Sequence, residues 1–454
     1  MKAKILPLLL AAAFCFSFSI KNNTPSRLLP TGKLPTETWG FWGHKRINRL
    51  AVFTLPEVML PLFKTEIEYL TEHAIDPDRR RYVVAAEGFR HYINYDRWTF
   101  LPQDRIEAQI LHTDIFLISE RGDTTPLVDY QTIRKAKRDY FLKAKSIKRL
   151  FGRDSIVVSD SSWRRFFIYN VMKIQPDEPL SISTDSLTLF FKNERLIPSF
   201  LQDSTWKIFF IEKGIKSAFA KDRLTPNGIL PYHLTLLQRQ LTDAFIAKNR
   251  QRVLKIAAEI GHYIADAHVP LHTVANYDGQ LTQQNGVHAF WESRLPELFA
   301  DNQYDFFVGR ADYIENPKKF FWNVVLASNK LAANVLRIEK EVSAKFSVDK
   351  KYCAETVNGV VVQKPCFDFA ETYHERLNGM VEEQMRQAIH AVGSSWYTAW
   401  VDAGQPNLRT WEDAALFAKN SFDSLEKKAD KIESDSIENA VKNGGKMIGR
   451  AEDN

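Results

Sequence analysis

The sequence predicts a mainly α-helical protein that carries an inserted region of mixed α/β or strand-containing character. In four stretches, apolar residues recur at three- and four-residue steps with few helix breakers, as on the buried face of an amphipathic helix: residues 46–69, 234–268, 320–346 and 369–400. Between residues 101 and 224 the pattern changes to β-branched and aromatic runs separated by turn residues, which favours strands. With 454 residues, of which 44% are hydrophobic, the chain can bury a large core in one domain or in two.

The first twenty residues have the features of a secretory signal peptide. Lys2 and Lys4 precede an apolar run that ends at Ile20 and is shorter than the roughly 20 residues that comfortably span a bilayer. An uncleaved membrane anchor is the alternative. Residues 21–38 are polar and rich in proline, so they are expected to form a linker or a pro-segment. We therefore expect an exported protein in a periplasmic, secreted or cell-surface location.

The folded part is expected to begin near Trp39. We expect a helical domain in two parts, residues 39–100 and 225–408, separated by the insertion at 101–224 and followed by a charged tail at 409–454. The 61 Lys and Arg and the 55 Asp and Glu residues leave a formal net charge of +6. Because the two signs are mixed along the chain, this charge permits an anionic substrate without demanding one.

Cysteine usage limits the kind of metal site that the chain can build. Export would leave Cys353 and Cys366 in the mature protein, and in an oxidising compartment these two are candidates for one loop-closing disulfide. Neither belongs to a zinc-type CxxC pair. A metal site in this chain would therefore consist of His, Asp and Glu side chains.

The strongest chemical signal is the segment GHYIADAHVPLHT at residues 261–273. His262 and Asp266 are four residues apart, a spacing that places an imidazole and a carboxylate on one face of a helix. Pro270 ends that helix, so that His272 can turn back towards the same site. A single pair of this kind is more often a hydrogen bond on a helix surface than a metal site.

A second pair with the same spacing, His288 and Glu292, follows a short distance along the chain. With His272, the two pairs supply the ligand types that zinc accepts, and their clustering favours a metal site over two surface contacts. His268 points elsewhere on the helix and is expected to pack or to support a ligand. The remaining histidines are expected to be core or surface residues: His73, His112, His233, His374 and His390.

These residues belong to four ordered motifs through which the chain resembles the superfamily of bacterial zinc-dependent phospholipases C and fungal single-strand-specific nucleases. The motifs are WGFWGH at 39–44, RHYINYD at 90–96, HYIADAHVPLH at 262–272 and HAFWE at 288–292. The resemblance leaves the insertion unaccounted for. Mature members of this superfamily begin at a tryptophan and carry a trinuclear zinc site. The resemblance therefore implies a multi-helical core of that kind with up to three zinc ions.

By position, the resemblance implies three ligand sets that share one carboxylate. The first set consists of Asp76 or Asp78, His91, His262 and Asp266. The second set consists of His272, His288 and Glu292. The third set consists of His44, Asp266 and the backbone nitrogen and carbonyl oxygen of Trp39. Spacing slightly favours Asp76 over Asp78, and a free amine at Trp39 requires cleavage directly before that residue.

The activity implied by the resemblance is zinc-dependent hydrolysis of phosphodiester bonds. Clustered zinc ions suit this reaction because they activate water and stabilise both the attacking and the leaving oxygen. Asp76 or Asp78 is the implied general base. Arg79, Arg80 and Arg81 are either phosphate contacts or a solvated helix end.

Three alternatives for the substrate or role stay open. The closing ligand Glu292 and the short gap from His272 to His288 resemble the phospholipase C branch, whose lipid substrate would involve contact with a membrane surface. The nuclease branch, which would act on single-stranded nucleic acid without forming a stable complex, is the alternative. The third is a non-catalytic, surface-binding protein that zinc stabilises.

Overall fold

The computed structural model describes residues 40–84, 86–105, 108, 112–119, 121–128, 215–357 and 360–411. The helices in these ranges are α1 (Phe41–Ala51), α2 (Leu60–Phe63), α3 (Ile67–Glu72), α4 (Asp76–Arg80), α5 (Leu230–Ile246), α6 (Arg250–Ala267), α7 (Val287–Ala289), α8 (Leu295–Gln303), α9 (Pro317–Ser343), α10 (Val348–Lys351), α11 (Phe367–Leu377) and α12 (Met380–Asp402). The strands are β1 (Thr113–Ser119), β2 (Thr124–Val128), β3 (Ile215–Asp222), β4 (Tyr352–Val357) and β5 (Val360–Pro365). The predicted mainly α class is confirmed for this part of the chain. The predicted signal peptide, the linker, Trp39 and most of the charged tail lie outside it.

Three of the four predicted helical stretches are divided where the chain carries a helix breaker or a left-handed residue. Pro56 lies between α1 and α2. Lys248 has a φ of 52° and separates α5 from α6, and the side chain of Asn249 caps the start of α6. Asn378 and Gly379 both have positive φ and separate α11 from α12. The periodicity therefore predicted the helical state correctly but joined neighbouring helices.

The inserted region contributes an antiparallel sheet in which β1 lies between β2 and β3. Ile115 of β1 pairs with Val128 of β2 on one side and with Ala220 of β3 on the other. The start and the end of the insertion are therefore joined by backbone hydrogen bonds. The β-branched and aromatic runs between residues 154 and 212, which predicted strands, lie outside the described residues.

A second sheet consists of the hairpin β4–β5, which a disulfide between Cys353 and Cys366 closes. The candidate disulfide is thus present. The Nε of Arg294 donates a hydrogen bond to the carbonyl oxygen of Pro365 at 3.2 Å, and the Arg294 guanidinium also pairs with Glu355. The hairpin is consequently attached to the segment that follows Glu292.

Helix α6 lies at the centre of the helical part, with α1, α5 and α12 packed around it. Every residue from Ile260 to Ala267 is buried, so this half of the helix has no solvated face. Polar side chains on such a helix must find partners inside the protein, because an unpaired buried polar group is costly. That requirement applies to His262 and Asp266.

A second cluster of buried apolar side chains holds the segment after His288. The ring of Phe290 packs against Phe369 and Tyr373 of α11, at centroid distances of 5.0 and 4.9 Å. These contacts fix the orientation of residues 288–294 relative to α9 and α11. Within the described ranges, the helices do not combine the length and the hydropathy that crossing a bilayer requires.

Candidate metal centre

The last turns of α6 supply two side chains, His262 and Asp266, to a buried cluster of imidazoles and carboxylates. The Nε2 of His262 lies 3.3 Å from the Oδ2 of Asp266, one helical turn further along. The Nδ1 of His262 lies 2.8 Å from the carbonyl oxygen of Ala74, which can only accept a hydrogen bond. In its neutral form the ring therefore carries its proton on Nδ1 and directs the Nε2 lone pair into the cluster.

His272 returns to the cluster because the chain turns directly after α6. Residues 270–273 form a 3-10 turn with Pro270 at its start. The Nδ1 of His272 consequently lies 3.2 Å from the Oδ1 of Asp266. The backbone nitrogen of Ile93 donates to the carbonyl oxygen of His272 at 2.9 Å, so the turn is tied to the segment that carries His91.

The first group combines Asp78 of α4 and His91 with the two residues of α6. The Nδ1 of His91 lies 3.0 Å from the Nε2 of His262 and 3.0 Å from the Oδ2 of Asp266. The Oδ1 of Asp78 lies 3.7 Å from the Nδ1 of His91 and 3.9 Å from the Nε2 of His262. Four donor atoms from three separate segments thus face one point.

Asp76 lies outside this group, so the slight preference for it over Asp78 is corrected. Its carboxylate pairs with the Nδ1 of His73 at 2.6 Å and with the guanidinium of Arg79 at 3.4 Å. Two residues that are two positions apart on a helix point about 200° away from each other. Asp78 therefore faces α6, whereas Asp76 faces the surface.

The second group consists of His272, His288 and Glu292. The Nε2 of His288 lies 2.9 Å from the Nε2 of His272 and 2.7 Å from the Oε2 of Glu292. Glu292 lies on a π-helical turn, residues 290–294, that directly follows α7. The short helix predicted for His288 and Glu292 is therefore α-helical at residues 287–289 and π-helical at residues 290–294. The carboxylate of Asp278 accepts a hydrogen bond from the backbone nitrogen of His288 at 3.2 Å.

His44 of α1 lies between the two groups. Its Nε2 is 3.6 Å from the Oδ1 of Asp266 and 3.7 Å from the Oε1 of Glu292, and its ring stacks on that of His262. The backbone before His44 approaches the cluster too, because a Cβ placed on Gly40 would lie 3.1 Å from the Oε1 of Glu292. Trp39, the other member of the third predicted ligand set, lies outside the described residues.

The donor atoms could hold a metal ion, and their spacing is compatible with tetrahedral coordination of the kind that zinc adopts. In a tetrahedral site with metal–ligand distances of about 2.0–2.1 Å, neighbouring ligand atoms lie about 3.3 Å apart. In the two groups the donor atoms lie between 2.7 and 3.9 Å from their neighbours. Two of these contacts join imidazole nitrogens, His91 to His262 and His272 to His288. Two such nitrogens can share only one proton, whereas a cation would accept both lone pairs.

The imidazoles and carboxylates of the cluster shift one another's pKa values. Burial disfavours the charged form of Asp266, but the imidazoles of His262 and His272 outweigh burial and hold its pKa well below the usual value. Burial lowers the pKa of His262, yet Asp266 and Asp78 outweigh that effect and raise the pKa to about 9. The pKa of His272 is raised to about 9 against burial, chiefly by Asp266. Burial and the nearby His262 lower the pKa of His44 to about 4.

The side chains of the cluster differ in solvent exposure: three form a partly exposed rim, His288, Glu292 and Asp78, and two form a buried floor, Asp266 and His262. The side chains of His288, Glu292 and Asp78 are 21%, 16% and 14% exposed. Those of Asp266 and His262 are 2% and 0% exposed. A substrate would therefore meet the three rim side chains first.

No protein-family model matches this chain, and a comparison with curated proteins gave no match either.

The histidines that the sequence left out of the site also lie apart from the two groups and from His44. His268 is buried, and its Nδ1 lies 2.8 Å from the carbonyl oxygen of Ile264. The others have partners elsewhere: His73 with Asp76, His112 with Trp98, His233 with Tyr263, His374 with Phe299 and His390 with the carbonyl oxygen of Arg310.

The three arginines beside Asp78 differ in what they contact. Arg79 pairs with Asp76 at the surface, and Arg80 is buried between two other carboxylates. The Nη1 of Arg81 lies 3.7 Å from the Oδ1 of Asp78. Of the three candidates for a phosphate contact, Arg81 is therefore the one that lies beside the cluster.

Glu87 is a residue near the site that the sequence analysis did not single out. It is fully buried, and its Oε1 lies 3.8 Å from the Nε2 of His91. Glu87 precedes His91 by four residues, the same spacing that indicated the other carboxylate–histidine pairs. Applying that spacing in both directions along the chain would have found it.

Proposed function

We propose that this protein is a zinc-dependent hydrolase of phosphodiester bonds. The observation that carries the proposal is the convergence of imidazoles from separate segments on the two oxygens of Asp266: His44, His91, His262 and His272. Adjacent cation sites that share a carboxylate suit in-line displacement at phosphorus. With the four sequence motifs, this convergence supports membership of the zinc-dependent phospholipase C and single-strand-specific nuclease superfamily, and with it that superfamily's helical core.

The chain's own contribution is to hold the donors in place before substrate arrives. One zinc ion would be held by Asp78, His91, His262 and Asp266, a second by His272, His288 and Glu292, and a third would have His44 and Asp266 available. Zinc bound there would polarise a phosphoryl oxygen and lower the pKa of water. Asp266 and His262 keep a single side-chain orientation because they lie in the closely packed interior of the protein.

Asp78 is the candidate general base. Burial disfavours its charged form, but the imidazoles of His262, His91 and His44 outweigh burial and lower its pKa. At neutral pH the carboxylate is therefore ionised and can accept a proton from an attacking water molecule at one of its oxygens. The guanidinium of Arg81 beside it carries the charge and the paired donors that bind phosphate oxygens.

The surroundings of the rim favour a phospholipid substrate. The loop at 274–286 leads to His288 and carries Leu281, whose side chain is 66% exposed. An exposed apolar side chain on this loop suits contact with acyl chains at a membrane surface. Tyr277 on the same loop contacts the ring of His288 edge-on, and an aromatic ring there could instead stack a nucleobase. Single-stranded nucleic acid is therefore the second candidate substrate.

The proposal is tested by assaying the purified protein on phosphatidylcholine vesicles, single-stranded DNA and a chromogenic phosphodiester, each with and without a chelator. We expect zinc-dependent release of a phosphorylated head group and diacylglycerol. Cleavage of DNA alone would identify the nuclease alternative. Zinc binding without cleavage of any substrate would favour a zinc-stabilised surface-binding protein. Purified protein without zinc, and unable to take it up, would refute the hydrolase proposal.

Two neighbouring aspartates on α4 provide a matched pair of variants. D78N removes a carboxylate of the first group and is expected to lower kcat by about 100-fold or more and to reduce the zinc content. D76N weakens only partly exposed contacts with His73 and Arg79 and should keep most of the activity. Equal losses in the two variants would contradict the assignment of Asp78 to the reaction.

A further inference from the structure

Glu87 is a buried carboxylate with several bound donors. The Nη1 of Arg90 and the Nε of Arg80 lie 2.7 and 3.3 Å from its Oε2, and the hydroxyl of Tyr263 donates to its Oε1. Burial disfavours the charged form, but Arg80, His91 and Arg90 outweigh burial and lower the pKa of Glu87. Glu87 is therefore an ionised group enclosed by the protein, next to the first donor group.

His91 directs its two ring nitrogens to different partners. Its Nδ1 faces His262 and Asp266 at 3.0 Å. Its Nε2 is buried without a hydrogen-bond partner, and the Oε1 of Glu87 lies 3.8 Å away. When Nδ1 binds a cation, the proton of the neutral ring must be on Nε2, so the N–H of His91 then points towards Glu87.

His262 shows the same arrangement with a different acceptor. Its Nε2 faces the cluster, and its Nδ1 lies 2.8 Å from the carbonyl oxygen of Ala74. Both imidazoles of the first group thus have an acceptor behind the ring. A carboxylate behind an imidazole raises the basicity of the ligating nitrogen more strongly than a neutral carbonyl does, because the carboxylate carries a full charge.

We propose that Glu87 is a positioning residue for the first donor group: its carboxylate accepts the Nε2 hydrogen of His91 and so fixes the ring for metal binding through Nδ1. The inference rests on the proposed function only in requiring that a cation binds at this group. Reducing the 3.8 Å separation to a hydrogen bond requires a movement of about 0.9 Å. Tyr263 holds the Oε1 of Glu87 at this place, and its ring is in tilted contact with that of His91.

A purely structural function of the same network can be separated from this role. Arg80 also pairs with Glu259 of α6 at 2.5 Å and thereby joins α4 to α6 whether or not a metal is bound. Glu259 shares Arg80 with Glu87, but among the described ion pairs it does not contact His91. E259Q is therefore the matched control, because it weakens the ion pair of Arg80 without removing an ion-pair partner of His91.

The test is a cobalt(II) titration of the full chain after metal removal, followed by visible absorption, for the wild type, E87Q, E87D and E259Q. We expect E87Q to weaken one metal equivalent by about 10- to 100-fold and to change its absorption band, with the other equivalents unchanged. E259Q should lower the melting temperature of the metal-free protein without that selective loss. E87D keeps the buried charge but withdraws the carboxylate by about 1.5 Å, so it should show the loss even if E87Q does not fold.

The outcomes distinguish this inference from the proposed function. Unchanged cobalt affinities in the folded Glu87 variants, or equal losses in E259Q, would overturn the positioning role. A wild-type chain that binds no cobalt would overturn the metal centre itself and the inference with it. Selective loss in the Glu87 variants of a protein that cleaves no phosphodiester would support the positioning role and reject only the proposed activity.

Discussion

Gly261, directly before His262, allows the close approach of α1 to α6, and its replacement by alanine tests how the site is assembled. A Cβ at this position would lie 2.0 Å from the Oδ1 and 2.8 Å from the Cγ of Asn48 on α1. Asn48 is fully buried, and its Nδ2 donates to the carbonyl oxygens of Leu70 and Ala258 at 3.2 and 3.0 Å. G261A must therefore move the amide or separate the two helices.

The magnitudes predict a large net loss of stability. Two buried hydrogen bonds that lose their partner cost about 1–3 kcal/mol each. Overpacking of a close contact adds about 1–3 kcal/mol. The gain from replacing glycine by alanine inside a helix is only about 1 kcal/mol. We therefore expect G261A to lower the free energy of unfolding by about 5 kcal/mol.

The same displacement would reach the site, because His44 precedes Asn48 by one turn of α1. If α1 moves away from α6, the Nε2 of His44 moves away from Asp266, whose Oδ1 now lies at 3.6 Å. G261A is therefore expected to weaken metal binding by the donors around His44 more than binding by the second group. Urea unfolding and zinc titration of the same preparation measure the two effects.

Gly43 provides the control on the partner helix. A Cβ at Gly43 would meet no atom within 4 Å, so G43A should gain about 1 kcal/mol from helix propensity without a clash. Unfolding of G261A at the same urea concentration as G43A, or at a higher one, would contradict this expectation. In that case Asn48 would not determine how closely α1 packs on α6.

Three further predictions concern the shared carboxylate, the protons and the disulfide. D266N removes a buried counter-charge worth roughly 3–5 kcal/mol and should weaken zinc binding by about 100- to 4,000-fold; an unchanged zinc content would contradict this expectation. Because the pKa of His262 and of His272 is raised from 6.5 to about 9, each ring must lose a proton before it binds a cation. Zinc affinity should therefore rise from pH 6.5 to 9, and zinc binding at pH 7 should release about two protons. Calorimetry in buffers of different ionisation enthalpy measures this release. If no protons were released, the expectation would be wrong. Replacing Cys353 and Cys366 by serine should lower the free energy of unfolding by about 3 kcal/mol in urea, and equal effects of reductant on wild type and variant would argue against it.

The helices and the histidine–carboxylate pairs could be predicted from the sequence, because they depend only on residues that are close together along the chain. The apolar periodicity predicted helices because a period of 3.6 residues is a property of the chain itself. The pairs His262–Asp266 and His288–Glu292 were accessible for the same reason, since residues four apart share a helix face. The structure places the first pair 3.3 Å apart and the second 2.7 Å apart. Pro270 indicated the turn after α6 because proline cannot continue a helix.

The sequence could not decide between Asp76 and Asp78, because the choice depends on which side of α4 packs against α6. That choice requires knowledge of a neighbour that lies far away in sequence. The four-residue spacing of Glu87 and His91 could have indicated Glu87, but its burial beside His91 could not be predicted, because burial of a carboxylate is exceptional in sequence statistics. The insertion could be assigned strand character, yet the pairing of β1 with β3 joins segments that no local pattern connects.

The primary structure thus specified the helices, their approximate limits and the residue types that can bind a cation. The arrangement of those residues around Asp266 came from packing. His91 is 175 positions from Asp266 and yet lies 3.0 Å from it, because the buried half of α6 must pair its polar groups inside the protein. Contacts of this kind depend on the distances between helices, which residues such as Gly261 and Asn48 set and which periodicity along one chain does not contain.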